Sequence, residues 1–233
     1  MFGRAAHPFR CEYMWQSVQY HAIEGKMRAF RTTGEKTGRQ GARKGNRVNG
    51  TGAMDRLKKT VVMVGMMGAG KTAVGTAVAR LLGVPFLDSD EEIVRAAHRS
   101  IAEIFERDGE PFFRARETEV LNRLLTGTPC ILSTGGGAFL SEVNRGLIAA
   151  SGVSVWLRAD LDLLWQRVRH KTTRPLLRTD NPRETLARIY EARVPVYALA
   201  DLAVDSTPDL SVEDMARKVI ARLGEREDVL ERA

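Results

Sequence analysis

Residues 60–72 constrain the fold more tightly than any other stretch of the chain. Thr60–Val64 (TVVMV) is apolar throughout, as a strand buried on both faces requires, and such strands belong to parallel sheets covered by helices. It runs directly into Gly65-Met66-Met67-Gly68-Ala69-Gly70-Lys71-Thr72, which fits the pattern G-x-x-x-x-G-K-[ST], and helical spacing follows over residues 71–82. The glycines let the backbone curl so that successive N–H groups point at phosphate oxygens, with the positive end of a helix behind them. In that position Lys71 reaches the β- and γ-phosphates, and the Thr72 hydroxyl can ligand Mg²⁺. Strand, spacing, Lys and Thr together specify a site for ATP or GTP, surrounded by Gly68, Ala69, Gly70, Lys71, Thr72 and Ala73.

Beyond this point short apolar runs alternate with helical periodicity. That alternation predicts an α/β protein with a mainly parallel sheet of about five strands. Strands are expected over 60–64, 85–87, 130–133, 153–157 and 202–205. Helices are expected over 71–82, 111–125, 142–150, 161–170, 182–199 (bent at Pro195) and 212–223. Ser100 followed by Glu103 has the form of a capping box opening a further short helix.

No apolar run is long enough to span a membrane as a helix. The two cysteines, Cys11 and Cys130, are far apart, which argues against a disulfide scaffold and suits a reducing cytoplasm. The net charge of +7 suggests a nucleic-acid partner only until it is located. Residues 1–56 hold 11 Lys/Arg against 4 Asp/Glu, and residues 57–233 hold 25 of each. The body is neutral, so no nucleic acid is expected on it.

Residues 1–53 form a separate basic segment. Its stretch 31–52 is rich in Gly, Thr, Lys and Arg with almost nothing to bury, a composition expected to be disordered. It lacks the apolar core of a secretory signal, and Glu12, Glu24 and Glu35 count against a transit sequence. Two readings stay open: Met54 as the natural start with residues 1–53 an extension, or a flexible basic tail. The working domain is then 54–233.

Asp88-Ser89-Asp90 closes the second strand. Carboxylates at i and i+2 on a strand point to opposite faces, but at its C-terminal end one can serve a metal and the other a substrate. Alone, the triplet reads equally as a solvated turn. In order along the chain, G-M-M-G-A-G-K-T, F-L-D-S-D, S-I-A-E-I-F, F-F-R-x-x-E, S-T-G-G-G-A and T-R-P-L-L together resemble the shikimate kinase family over about residues 57–223. The resemblance implies a three-layer P-loop kinase fold with a mobile lid over about 167–183, and ATP-dependent phosphorylation of the shikimate 3-hydroxyl.

By that resemblance Asp88 and Thr72 hold Mg²⁺, and Asp90 contacts the acceptor hydroxyl, placed to take its proton. Arg114 and Arg193 match arginines that grip the shikimate carboxylate, a planar anion that suits a guanidinium better than an ammonium. Gly135, Gly136 and Gly137 match a glycine run that approaches acceptor and γ-phosphate. Taken alone it is a flexible turn, but it lies after a buried strand and before a helix. Arg174 matches the lid arginine on the transferring phosphate, and Arg167 the one against adenine; Lys71, Asp90 and Arg174 are the catalytic candidates.

Glu117, three residues beyond Arg114, either holds that guanidinium or forms an ordinary surface pair. Phe105 and Phe113 either wall the acceptor or belong to the core. Trp156 and Trp165 are expected to pack, and His98 and His170 to lie at the surface. A monomer is expected. The competing classes are another small-molecule kinase of this fold, such as one for gluconate, and an ATP-binding module acting through the basic segment.

Overall fold

A computed structural model describes residues 55–170 and 175–232. The basic segment, Met54 and Arg174, the arginine expected on a lid, lie outside the described residues.

Strand β1 (Arg56–Leu57) leads into β2 (Thr60–Val64), every residue of which is buried. Helix α1 (Lys71–Leu82) follows and is closed by Gly83, whose φ of 65° places it in the left-handed conformation that frees its N–H for the carbonyls of Ala79 and Arg80. Strand β3 (Phe86–Asp88) passes straight into α2 (Ser89–Ala97). Sequence periodicity does not predict α2. Asp88 is its N-cap, accepting from the Asp90 N–H at 3.0 Å, and Asp90, Glu91 and Glu92 occupy its first turn, where negative charge suits the helix dipole.

Helix α3 (Ile101–Leu125) starts at the expected capping box of Ser100 and Glu103. It is two helices across a break at Gly109 (φ 80°, ψ 171°), two residues before Pro111. Proline sits well at the start of a helix but not inside one, so the break lets the second half begin there. Then come β4 (Ile131–Ser133), a short 3₁₀ helix (Ala138–Leu140), α4 (Glu142–Ser151), β5 (Gly152–Arg158), α5 (Leu161–Val168) and a second short 3₁₀ helix (Pro175–Leu177). Helix α6 (Pro182–Tyr197) runs through Pro195 and ends two residues later. Strand β6 (Leu202–Asp205), α7 (Val212–Leu223) and β7 (Leu230–Glu231) complete the described chain.

Five strands form one parallel sheet in the order β3-β4-β2-β5-β6, with Val61 opposite Ile131 on one side and Val153 on the other. The short strands β1 and β7 pair antiparallel as a separate ribbon, which the sequence reading omits. Helices α1 and α7 pack on each other, as do α2 with α3 and α3 with α4. The main core gathers around β2, β4 and β5. A second, smaller cluster of Ile93, Ile104, Phe113 and Val120 holds α2 against α3.

Candidate active site

In a parallel sheet of this kind ligands bind outside the C-terminal strand ends. A cleft of about 490 Å³ lies there, lined by residues 67–74 after β2, Asp88 and Asp90 at the end of β3, residues 133–136 at the end of β4, and Arg167. Gly68 and Gly70 have φ of 84° and 95°, values that side chains other than glycine rarely accept. A Cβ on Gly68 would also come within 2.6 Å of Val168. Gly70 is the N-cap of α1 and supplies no capping side chain. Helix geometry therefore leaves the first N–H groups, those of Lys71, Thr72 and Ala73, for a ligand. The Lys71 ammonium folds over the loop, donating to the carbonyls of Gly65 (2.8 Å) and Met66 (3.1 Å).

Thr72 Oγ1 donates to Asp88 Oδ2 at 3.5 Å, so hydroxyl and carboxylate stand together beside the phosphate loop. These hard oxygen donors fit Mg²⁺, which takes one or two protein oxygens and completes its shell with water and phosphate. Among the described residues no group of three His, Cys, Asp or Glu side chains forms a self-sufficient metal site.

Asp90 projects from the first turn of α2 into the cleft. Its Oδ1 is buried without a hydrogen-bond partner. Burial pushes its carboxyl above the ordinary range, helped by the negative charge of Asp88, while Lys71 and Arg114 pull the other way. Gly135 lies against it: a Cβ there would stand 2.7 Å from Oδ1 and 3.1 Å from Oδ2.

Arg114 donates through NH1 to Glu117 (2.9 Å) and through Nε and NH2 to Glu110 (3.2 and 3.1 Å). Its guanidinium lies 5.2 Å from the centre of the Phe113 ring. Glu117 is 1% exposed, so the pair is no surface ion pair. Burial pushes the Glu117 carboxyl up and Arg114 pulls it back down. A Cβ on Gly137 would stand 2.7 Å from Arg114 NH1. The outer glycines of the run thus make room for the protein's own Asp90 and Arg114. Asn144, wholly buried on α4, ties the run to α3: it donates to the Ala138 carbonyl (2.9 Å) and accepts from Thr118 Oγ1 (2.8 Å).

From α6, Arg193 NH1 donates to the Gly136 carbonyl at 3.4 Å. Arg167, in the last turn of α5, reaches the Gly68 carbonyl (3.4 Å) and Ser206 Oγ (3.2 Å). It bridges the phosphate loop to the segment after β6, and its burial lowers the guanidinium's affinity for its proton. Phe113 is core, with the Phe105 ring 4.7 Å away. Trp156 is buried, Trp165 packs against the core, and His98 and His170 are exposed.

Sequence reading missed the cleft wall formed by Ser206, residues 210–212 and Met215. The available signal was positional: the segment follows the C-terminal end of the last parallel strand. Its Ser211 and Asp214 form a capping box for α7, a local pattern that says nothing of the neighbouring cleft.

The strand–loop–helix unit of residues 60–82, set at the centre of a wholly parallel five-stranded sheet, defines the class of P-loop kinases. Known proteins narrow the class. The shikimate kinase family model matches residues 67–224. Shikimate kinase of Cereibacter sphaeroides is 68% identical over 196 residues, 84% of this chain and 98% of its own length. That of Ruegeria pomeroyi is 67% identical over 180 residues, 77% of this chain and 92% of its own. The structure of shikimate kinase from Acinetobacter baumannii, in complex with shikimate, matches with a TM-score of 0.67 at 39% identity, covering 72% of this chain and 94% of that one. The chain belongs to the shikimate kinase family.

Proposed function

We propose that this chain transfers the γ-phosphoryl group of ATP to the 3-hydroxyl of shikimate, giving shikimate 3-phosphate and ADP. The observation that carries the assignment of roles is the placement of Asp90. Its carboxylate lines the cleft with Oδ1 buried and unpartnered, and it lies between two cations that both favour its charged form, Lys71 at the phosphate end and Arg114 at the acceptor end.

Asp90 accepts a hydrogen bond from the 3-hydroxyl, orients it and takes its proton as the oxygen attacks the γ-phosphorus. The new O–P bond forms as the bond to the β–γ bridging oxygen breaks, and ADP leaves. Such transfer is largely dissociative, so positioning and charge stabilisation do most of the work. Lys71 leaves the Gly65 and Met66 carbonyls for the phosphates, and Arg174 adds a second cation from the lid. Arg114 and Arg193 clamp the carboxylate, while Arg167 and the segment 206–215 enclose the nucleoside. Thr72 and Asp88 hold Mg²⁺, which when bound neutralises charge on the β- and γ-phosphates. The enzyme acts as a cytoplasmic monomer, and residues 1–53 are dispensable for turnover.

The test is ADP release by the full chain with Mg-ATP and shikimate, with gluconate and nucleoside monophosphates as control acceptors. Shikimate alone is expected to support turnover; turnover only with a control acceptor would overturn the assignment. The same assay on residues 54–233 is expected to give the same rate.

Gly135→Ala offers a finer check. The backbone at 135 is not in the left-handed region, so the added methyl is opposed by space alone. At 2.7 Å from Oδ1 the methyl leaves the Asp90 carboxylate no room in its present position, so the carboxylate must shift. A displacement near 1 Å costs about 10²-fold in rate, so kcat is expected to fall 10- to 100-fold with the KM for ATP unchanged. Unaltered kcat would show that Asp90 does not need its present position.

A further inference from the structure

The Gly136 carbonyl, at the middle of the glycine run, has two donors from one helix. The Tyr197 hydroxyl donates to it at 2.5 Å and Arg193 NH1 at 3.4 Å. The two side chains are four residues apart on α6 and so share a face, and α6 packs against the turn that follows the glycines. Their surroundings differ. Tyr197 is wholly buried, with its ring stacked 6.4 Å from that of Trp156, whereas Arg193 is half-buried. Burial pushes the Tyr197 phenol up, although the neighbouring guanidinium pulls it down. The phenol therefore stays a neutral O–H donor throughout the working range. One donor is short and fully buried, and the other is long and comes from a half-buried side chain.

Resting on the reading that Arg193 engages the shikimate carboxylate, we propose that Tyr197 is a positioning residue that frees Arg193 for the substrate. With the hydroxyl in place, the Gly136 carbonyl keeps a donor when Arg193 turns to the carboxylate. Without it, Arg193 is the carbonyl's one remaining donor on α6, and each binding event strands a part-buried acceptor. The substrate then competes with the protein for the same guanidinium. Affinity for the acid falls, while the nucleotide end, held by the phosphate loop, is untouched.

The experiment is steady-state ADP release by the full chain carrying Tyr197→Phe, alone and combined with Arg193→Ala. Phe retains the ring and its stacking. The KM for shikimate is expected to rise about tenfold, the value of one net hydrogen bond, with the KM for ATP unchanged. In the Arg193→Ala background the same substitution is expected to add nothing, because no guanidinium remains to be shared. An unchanged shikimate KM, or equal increments in both backgrounds, would overturn the proposal and leave the hydroxyl a packing feature. A drop in thermal stability with both KM values unmoved would do the same. Absence of shikimate turnover in the unsubstituted chain would overturn the functional reading and this inference with it.

Discussion

Asp90→Asn is expected to lower kcat with shikimate by about 10²- to 10⁴-fold, the range that positioned acid–base groups contribute, while ADP binding changes by less than twofold. Asn fills the same space and leaves the phosphate loop alone. It cannot take a proton, and it presents an amide where the acceptor hydroxyl needs a base. The pH profile supplies an independent readout. Burial and Asp88 raise the Asp90 carboxyl, so the acidic limb of kcat/KM should fall above the ordinary carboxylate range and should be missing from the variant. Stability should move the opposite way. A carboxyl whose proton is held more tightly in the folded state makes folding less favourable as pH rises through that range. Asn escapes the loss, so the variant should melt at or above the wild-type temperature at pH 8. A variant that lost ADP binding and turnover together would refute the acceptor role.

Arg114→Ala is expected to raise the shikimate KM by about 10²-fold or more, as truncating one side of a hydrogen-bonded charge pair costs about 2–5 kcal/mol. ADP titration should be unaffected. The change also strands Glu117, which is 1% exposed and takes its ion pair from Arg114. The stability loss should stay below the ~3–5 kcal/mol of a fully buried pair, because the Arg114 side chain is 38% exposed. Burial already lifts the Glu117 carboxyl and only Arg114 restrains it, so the variant's folded-state value rises further. Its stability is then greatest at low pH and declines from the ordinary carboxylate range upward. Thermal melts between pH 5 and 8 should fall more steeply than in the wild type. Parallel melting curves, or an unchanged shikimate titration, would contradict the role given to Arg114.

How far sequence reading reached depended on range. TVVMV and the loop after it were legible because both are local patterns, a continuous apolar run and a fixed spacing. Helix α2 was not, although Asp88 is a good N-cap, because paired acids after a strand read as the end of order. The positions of Gly135 and Gly137 could be placed, but the reason for glycine could not. They leave room for Asp90 and Arg114, which come from elsewhere in the chain. Asn144 looks like an ordinary polar residue on an amphipathic helix, and only packing reveals it as wholly buried. Tyr197 carries no signal at all until the fold brings it to Gly136.

The place of β2 in the sheet also sets a timetable for biosynthesis. It is the first strand of the sheet to leave the ribosome, yet both its partners come later: Val61 waits for Ile131 on one edge and Val153 on the other. At about 5–20 residues per second, the interval is on the order of 10 s. Until β4 is made the apolar TVVMV segment has two open edges, and until β5 is made it still has one, the condition under which strands join the wrong partner. A nascent chain stopped before β5 would carry every letter of the phosphate loop and still lack the sheet that shapes it.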